Sequence, residues 1–447
     1  MPPFRPFKQS DDVISLFRKG IIIAALVFLS FVLGGAALYF QWGPGPWLED
    51  AFTGGAAWEK KERVIHPPQK KKQHAAFSLK KNGKVVIHRP GMQPGYTLVT
   101  VKGASAAWLI DEHGAIVHRW ALPFSAIWTK PPHIKKPLPD HRVSWHHAVV
   151  YPNGDLVVLL NAAGDTPYGY GVIKVDRDSK LLWKYAAHAH HDLDIGPDGS
   201  IYFLTDDFSK QPIRGISLRP PFLLDWIAKL TTNGKEEKKI SLIEAFQNSP
   251  YMNLLTDRDP NAQRGDLLHT NAVWVLREGV KYRLAGIKPG QLLFSVREYN
   301  IIGVIDPEQQ KIVWATKGPW RGQHDPRFLE NGNILLFDNL GAAKIRKREI
   351  LHKRSRVIEY DPAAQNMVWS YSGTRTEPFY ARYRGSVEVL PNGNILISAV
   401  GRILEIKRNQ EIVWEYRVHG PKGTVVTTAQ RYVAAQVPFL REKIHAP

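Results

Sequence analysis

The sequence YPNGDLVVLL (151–160), followed by GVIKVDRDSKLLWKY (171–185), contains the pattern that decides the fold. An Asn-Gly turn leads into an apolar strand, and a second hairpin ends in a strand that carries Trp. Asn-Gly and Asp-Gly supply the positive φ angle of tight hairpin turns, and alternating apolar residues are typical of half-buried strands. The pattern recurs, complete or in part, over 97–122, 196–242, 292–316, 330–371 and 391–416.

Six copies of this pattern fill residues 90–420, with a spacing of about 45 to 65 residues. Four-stranded units of this size, repeated radially, are the blades of a β-propeller. The sequence therefore predicts an all-β protein with a six-bladed β-propeller over 91–447. Asp176, Asp306 and Asp361 precede the second hairpin of their copies, where we expect each side chain to bond to the turn backbone. Seven or eight blades, or a row of β-sandwiches, are the alternatives, but sandwiches do not explain a single period.

An uncharged segment of 21 residues, GIIIAALVFLSFVLGGAALYF (20–40), precedes the repeats. Its length matches the ~20 residues that a helix needs to cross a bilayer. Four basic residues precede it, and no Lys or Arg follows it up to residue 50, so the positive-inside rule places residues 1–19 in the cytoplasm. We predict a transmembrane signal-anchor helix over 20–41 and a basic linker over 42–90, with the propeller outside the cytoplasm. Cleavage of the segment as a signal peptide is the alternative.

The composition narrows the chemistry. The absence of Cys excludes disulfides, thiolate zinc sites, iron–sulfur clusters and a Cys nucleophile. The formal charge of +19 favours anionic partners. Because the propeller is expected outside the cytoplasm, we do not expect nucleic acid to be among them.

Histidines recur at one position of the repeat. In three copies a histidine stands eight residues before the turn glycine, and a looser copy carries a His-x-Asn pair near that place. Equivalent positions of successive blades meet at the mouth of the central channel, so we expect a ring of imidazoles suited to anion binding, acid–base and nucleophilic chemistry. The alternatives are a hydrogen bond between blades for each single histidine, or metal ligation by 188–191 and 146–147. The residues at this register are His146, His191, His324, His269 and Asn271.

Three charged residues of the repeats allow predictions about where their side chains point. Asp192 and Asp325 directly follow histidines, and adjacent residues of a strand point to opposite faces, so we do not expect either to share a ligand sphere with its neighbour. Arg297 lies in the apolar strand SVREYNIIGVID (295–306). Arginine is rarely buried without a partner, so it either pairs with an unidentified carboxylate or points into the channel and binds an oxyanion. We predict the second.

Four stretches resemble the bacterial arylsulfotransferase family, whose enzymes work without the nucleotide sulfate donor. They are HTNAVWVL (269–276), LLFSVREYNIIGVIDP (292–307), GPWRGQHDPRFLENGNILLFDN (318–339) and RGSVEVLPNGNILIS (384–398). The resemblance covers 95–420 and implies a six-bladed propeller. It also implies a ping-pong reaction, in which a central histidine takes a sulfuryl group from an aryl sulfate as a sulfohistidine and passes it to a phenol.

The resemblance also implies roles for individual residues. The nucleophile matches His324 in GQHDP, and the reaction requires no cofactor and no metal. The expected partners are a small-molecule aryl sulfate donor, a phenolic acceptor and the inner membrane. Matched by motif and register, the catalytic residues are His324, His269, Arg297 and His191, with His190 as the alternative to His191, and the substrate-binding residues are Asn271, His146 and Ser386.

The chain also departs from the family. Its best-understood members are soluble periplasmic enzymes with an N-terminal β-sandwich and a disulfide, whereas this chain has a predicted anchor and no Cys. We expect a single-pass enzyme of the bacterial inner membrane that faces the periplasm or the cell exterior. A non-catalytic binding or assembly module of the cell envelope, and a related enzyme that transfers to water, are the competing functions. The sequence leaves the natural donor, the natural acceptor and the oligomeric state open.

Overall fold

The computed structural model describes residues 20–33, 79, 83–162, 165, 167–216, 218, 220–256, 265–341, 344–346, 349–373, 379–419 and 425–442. The helices among them are α1 (residues 20–33), α2 (Phe124–Ile127), α3 (Leu242–Gln247) and α4 (Phe439–Glu442), with 3-10 turns at Asp140–Arg142, Met252–Leu255, Arg297–Tyr299 and Ala434–Gln436. The strands are β1 (Gly83–His88), β2 (Tyr96–Val101), β3 (Ala106–Ile110), β4 (Ile116–Ala121), β5 (Val143–Val150), β6 (Leu156–Ala162), β7 (Gly169–Val175), β8 (Leu181–Tyr185), β9 (Ala189–Ile195), β10 (Ile201–Ser209), β11 (Phe222–Leu230), β12 (Glu236–Ser241), β13 (Thr270–Val275), β14 (Leu292–Val296), β15 (Ile301–Asp306), β16 (Lys311–Lys317), β17 (His324–Phe328), β18 (Ile334–Asp338), β19 (Lys344–Arg346), β20 (Glu349–His352), β21 (Arg356–Asp361), β22 (Asn366–Tyr371), β23 (Ser386–Val389), β24 (Ile395–Ala399), β25 (Arg402–Ile406), β26 (Ile412–Val418) and β27 (Val426–Tyr432).

The helix α1 lies inside the predicted membrane segment 20–41. Residues 34–41 of that segment, the predicted cytoplasmic residues 1–19 and most of the predicted linker lie outside the described residues. Among the described residues, no helix has the length and apolar character needed to cross a membrane. The transmembrane anchor therefore stays a prediction.

Six antiparallel sheets form the blades, and the prediction of a six-bladed β-propeller is confirmed. From the inside outwards, blade 1 is β27, β2, β3 and β4, blade 2 is β5 to β8, and blade 3 is β9 to β12. Blade 4 is β13 to β16, blade 5 is β17, β18, β21 and β22, and blade 6 is β23 to β26 with β1 at its outer edge. The separate hairpin of β19 and β20 is inserted within blade 5. Each inner strand contacts the inner strands of both neighbouring blades, so the ring is closed.

The two ends of the propeller sequence meet in blade 1. The C-terminal strand β27 pairs with β2 in antiparallel register, with Val99 opposite Ala429 and Thr100 opposite Thr428. At the other end, β1 pairs with β26, with Gly83 opposite Val418. Strand β1 lies within the range predicted as a linker, and it extends blade 6 to five strands.

The turn chemistry follows the sequence. Asp176 Oδ1 accepts the N–H groups of Asp178 at 2.9 Å and Lys180 at 2.8 Å. Asp306 and Asp361 each accept two N–H groups of their own turns in the same way, as predicted. The turn glycine after β5, Gly154, has φ 88°, which an L-residue with a side chain rarely adopts.

Carboxylates on the inner strands tie neighbouring blades together. Asp325 Oδ2 on blade 5 accepts the N–H of Val387 on blade 6 at 2.7 Å. Asp192 Oδ2 on blade 3 accepts the N–H of Val273 on blade 4 at 3.0 Å. Since inner strands belong to different sheets, such bonds satisfy buried backbone groups that no strand pairing reaches.

Removal of β27 tests the closure of the ring. A chain that ends at residue 424 leaves the inner edge of β2 unpaired, so we expect the melting temperature to fall by more than ~10 °C and the protein to aggregate. A chain that ends at residue 442 keeps β27 and α4 and is the matched control. Thermal unfolding and size-exclusion chromatography compare the two. Equal melting temperatures would contradict the closure argument.

Candidate active site

A pocket lies where the inner strands begin. All six inner strands contribute to its lining, which is the convergence that the repeat register predicts. Five of the seven predicted site residues line the pocket, whereas His269 and Arg297 are not among its lining residues. The lining includes at least one residue from each inner strand, among them His146, His191, Asn271, His324, Ser386 and Thr427.

The tautomer of His324 is set by its hydrogen bonds. Its Nδ1 lies 3.1 Å from the carbonyl oxygen of Gly322 and 2.7 Å from Oδ1 of Asn339. A carbonyl oxygen only accepts, so Nδ1 carries the proton. On the other side of the ring, Nε2 accepts the backbone N–H of Arg384 at 3.2 Å. The Nε2 lone pair of His324 therefore serves as an acceptor, and His324 is among the residues that line the pocket.

The amide that holds this ring is itself fixed. Asn339 is fully buried, and its Nδ2 donates to the carbonyl oxygens of Ala381 at 2.8 Å and Arg384 at 2.7 Å. With the amide nitrogen committed to two acceptors, Oδ1 must face His324. Burial, and then the charge of Arg297, lower the pKa of His324 to about 3, so the imidazole is neutral at physiological pH.

His269 has the opposite character. Its Nδ1 lies 2.5 Å from Oδ2 of Asp266 and 3.9 Å from Oε1 of Glu298. Burial lowers the pKa of His269, but the Asp266 carboxylate opposes burial through its charge and its hydrogen bond, and the net pKa lies above the ordinary value. Its ring centroid is 4.8 Å from that of His191. The site thus combines a neutral histidine with one that holds its proton more tightly than usual.

The structure separates His191 from its alternative, His190. His191 lines the pocket, whereas His190 is fully buried behind it, with its Nδ1 2.9 Å from Nδ1 of His191. Burial lowers the pKa of both rings, that of His190 to about 3. Nε2 of His190 lies 3.8 Å from Oδ2 of Asp206 and 3.7 Å from Oδ1 of Asp225.

The predicted substrate-binding residues differ in whether their polar atoms already have hydrogen-bond partners. Asn271 donates through Nδ2 to the carbonyl oxygen of Gln323 at 2.8 Å, and its buried Oδ1 has no hydrogen-bond partner. The Nδ1 atom of His146 is also buried without a partner. The Ser386 hydroxyl is 2.7 Å from that of Ser398. Asn271 and His146 therefore retain hydrogen-bonding capacity.

The strict strand alternation assumed for Asp192 and Asp325 does not hold. Both line the same pocket as the histidines before them. The reason is a register shift in each inner strand at the pocket, where β9 and β17 carry extra residues opposite their partners. His191 has φ 56° and Asp325 has φ 48°, so the strict alternation of a strand is broken at both places. The two carboxylates are engaged, Asp192 with His147 Nδ1 at 3.1 Å and Asp325 with an arginine of its own strand.

Arg297 also differs from its prediction. It does not lie in a strand but begins the 3-10 turn between β14 and β15. Its Nη1 donates to Oε1 of Glu298 at 2.5 Å, so the alternative of a carboxylate partner holds. Its backbone N–H donates to the carbonyl oxygen of His269 at 3.3 Å, so the two residues are neighbours.

Arg384 is one of the site residues that the sequence analysis did not identify. It lines the pocket, its backbone has φ 65°, and its Nη1 is buried without a hydrogen-bond partner. Within the described part of the chain, no carboxylate pairs with it, and burial lowers its pKa to about 10. The register did point to this place, because eight residues before Gly393 stands Gly385, next to Arg384.

The described residues contain no group of three or more His, Cys, Asp or Glu side chains arranged to hold a metal ion. Nδ1 of His190 instead lies 2.9 Å from Nδ1 of His191, and Nδ1 of His147 lies 3.1 Å from Oδ1 of Asp192.

Comparisons with known proteins bear on this site. The family model described as arylsulfotransferase (ASST) matches residues 147–419, more than half of the chain. The chain belongs to the arylsulfotransferase family. This membership supports a sulfotransferase-type enzyme, and the match contains the predicted site residues except His146. A search of curated proteins finds no match.

Solved structures are similar only at the level of a distant likeness. A protein of unknown function from Bacteroides caccae is 13% identical, with a TM-score of 0.48 over 75% of this chain and 98% of that one. Virginiamycin B lyase from Staphylococcus aureus is 12% identical, with a TM-score of 0.38 over 74% of this chain and 88% of that one. Hydrazine synthase from Kuenenia stuttgartiensis is 10% identical, with a TM-score of 0.41 over 76% of this chain and 80% of that one.

The contrast between the two histidines can be measured. The raised pKa of His269 depends on Asp266, so in Asp266→Asn we expect the pKa of His269 to fall below the ordinary ~6.5, because burial then dominates. In the native protein, this pair stabilises the fold fully below pH ~6.5 and loses that contribution as the pH rises through the raised pKa. Nitrogen NMR titration of labelled histidines gives both pKa values.

Asp194→Asn is the matched control for this titration. Like Asp266, Asp194 is a buried carboxylate, but it lies on β9 and pairs with Arg277 at 2.8 Å. We expect its loss to leave the pKa of His269 unchanged. A His269 pKa that is the same in Asp266→Asn and in the native protein would show that Asp266 is not the cause.

Proposed function

We propose that this protein is a membrane-anchored sulfotransferase that moves a sulfuryl group from an aryl sulfate to a phenol through a sulfohistidine at His324. The observation that carries the proposal is the state of His324, a buried, neutral imidazole with Nδ1–H fixed and Nε2 as the acceptor. A neutral imidazole with a lone pair directed at the substrate is what nucleophilic transfer requires.

In the first half-reaction, the Nε2 lone pair of His324 attacks sulfur. The N–S bond forms, the bond between sulfur and the aryl oxygen breaks, and the phenolate leaves with the electron pair. The long bond from the Arg384 N–H to Nε2, 3.2 Å, gives way to the sulfur atom. Protonated His269 supplies a proton to the leaving phenolate, because Asp266 keeps its pKa raised.

In the second half-reaction, the now neutral His269 takes the proton of the acceptor phenol. The phenol oxygen attacks sulfur, the N–S bond breaks, and His324 recovers its lone pair. Asn339 holds Nδ1–H throughout, which stabilises the positive charge that the ring carries in the sulfohistidine.

Arg297 is the residue proposed to neutralise the negative charge on the sulfuryl oxygens. Arg297 is the cation whose charge most lowers the pKa of His324. Its Nη1 is committed to Glu298, which fixes the planar guanidinium in one orientation. The ring of His191 also lines the pocket, whereas the free Oδ1 of Asn271 is an acceptor, suited to a phenol hydroxyl and not to a sulfuryl oxygen. The residues carried over by resemblance thus receive distinct roles, as nucleophile, acid–base and anion-stabilising groups.

Turnover of 4-nitrophenyl sulfate with excess phenol tests this proposal. We expect the full-length protein to release nitrophenolate in a phenol-dependent, ping-pong manner, and His324→Ala to lower the rate by at least ~10³-fold. Mass spectrometry of protein treated with donor alone is expected to find the sulfuryl group on the peptide that contains His324.

His118→Gln is the matched control for the assay. His118 is a buried histidine of blade 1, with Nε2 2.8 Å from the carbonyl oxygen of Arg177 and no place in the pocket. Release that does not need the phenol would indicate transfer to water. Absence of release with several aryl sulfates, in native protein and variants alike, would favour a non-catalytic binding module.

We also propose that residues 20–41 anchor the protein in the bacterial inner membrane, with the propeller in the periplasm or at the cell exterior. The support is the uncharged segment of 21 residues and the basic residues before it. We expect the full chain to stay with membranes after alkaline carbonate extraction, and a chain that starts at residue 72 to be released. A full chain found in the soluble fraction with its N-terminus removed would mean that the segment is a cleaved signal.

A further inference from the structure

Two arginines line the pocket, and they differ in whether a carboxylate balances their charge. Arg327 is paired, with Nε 3.0 Å from Oδ1 of Asp325, and it stacks over Trp274. Arg384 has no carboxylate partner among the described residues, and its buried Nη1 donates to nothing. A buried cation without a counter-charge is costly, and a bound anion offsets that cost.

Positive charge is concentrated on the side of the pocket where Arg384 lies. Burial, and then the charges of Arg384 and Arg142, lower the pKa of Lys102, so the field of Arg384 is not neutralised at that lysine. His146 adds a further group there, because its buried Nδ1 has no partner. A neutral imidazole has one N–H donor, which an anion accepts.

Arg384 and Arg297 act on different histidines. After burial, the largest lowering of the pKa of His324 comes from Arg297, whereas that of His146 comes from Arg384. Arg297 is also bonded through its backbone to His269, the acid–base residue of the proposed reaction. We therefore assign Arg297 to the sulfuryl group on His324. Arg384 and His146 then remain available to bind another anion.

We propose that Arg384 and His146 form a second anion subsite, which binds a carboxylate substituent of the phenolic acceptor. The natural acceptors are then acidic phenols, held by the carboxylate at Arg384 while the hydroxyl group faces His324. This inference rests on the proposed sulfotransferase function and narrows its substrate class. The planar fork of arginine suits a carboxylate because it offers two parallel N–H donors.

Two acceptors of the same shape test the subsite, 4-hydroxyphenylacetate and the neutral 4-hydroxyphenylacetamide, with 4-nitrophenyl sulfate as donor and the full-length protein. We expect kcat/KM to favour the carboxylate by at least ~10-fold, since hydrogen bonds to charged groups are the strong ones. Arg384→Gln is expected to abolish the preference, and Arg384→Lys, which keeps the charge but loses the fork, to retain part of it.

Two further variants separate the subsite from other causes. Arg119→Gln removes the same charge from an exposed position of β4 and is expected to keep the preference. Arg297→Gln is expected to slow transfer to both acceptors equally. Equal kcat/KM for the two acceptors in native protein, or a preference that survives in Arg384→Gln, overturns the proposal.

Calorimetric titration with 4-hydroxyphenylacetate keeps the test independent of turnover. If no aryl sulfate is turned over, the proposed function fails, but binding of the carboxylate and not of the amide to native protein, lost in Arg384→Gln, still supports the subsite. Absence of binding, or equal binding of both compounds, overturns it. Thermal unfolding checks each variant, and Arg384→Lys carries the test if Arg384→Gln does not fold.

Discussion

The closed ring of six inner strands is the constraint on which the rest of the structure depends. Each inner strand contacts two neighbours that belong to other sheets, and β27 closes the ring by pairing with β2. Backbone groups at these contacts have no strand partner, so they are satisfied by carboxylates such as Asp192 and Asp325. The same segments carry the pocket residues, and the register shifts that bring two successive side chains to the pocket occur there. The same segments of the inner strands thus close the ring and form the pocket.

Burial then sets the chemistry of the pocket. Most of its histidines are held neutral, because desolvation disfavours the imidazolium and nearby cations oppose it further. A ring of neutral imidazoles attracts an anion less than charged ones would, but each retains a lone pair or an N–H group for a defined task. The exception, His269, is charged more readily only because Asp266 stands three residues before it and touches its Nδ1. The Asp266 carboxylate therefore makes His269 a better proton donor, whereas the other histidines of the pocket stay neutral.

The sequence predicts the features that recur at a short interval along the chain. It does not predict the features that depend on how neighbouring blades pack together. Turn glycines, the Asp side chains of the second hairpins and the histidine register are local, and the structure agrees with them. Strict alternation fails at Asp192 and Asp325 because a bulge cannot be read from a strand of five to seven residues. Arg297 leaves the expected strand because the turn to β15 begins at that residue. The histidine register does not identify Asn339 or Thr427. Asn339 directly follows β18, the second strand of its blade, and Thr427 belongs to β27, which no turn glycine follows.

The placement of cations argues for a site built for two anionic groups. If a single sulfuryl group were the whole ligand, one arginine near His324 would suffice, and a second buried guanidinium would only add desolvation cost. Arg297 is compensated by Glu298, and Arg327 by Asp325, so each can remain buried without a ligand. Arg384 has no such carboxylate among the described residues, yet its backbone amide and carbonyl both belong to the hydrogen-bond network of His324, the proposed nucleophile. An anion at Arg384 would therefore bind beside the segment that holds His324, which would couple recognition of the proposed acceptor to the position of this histidine.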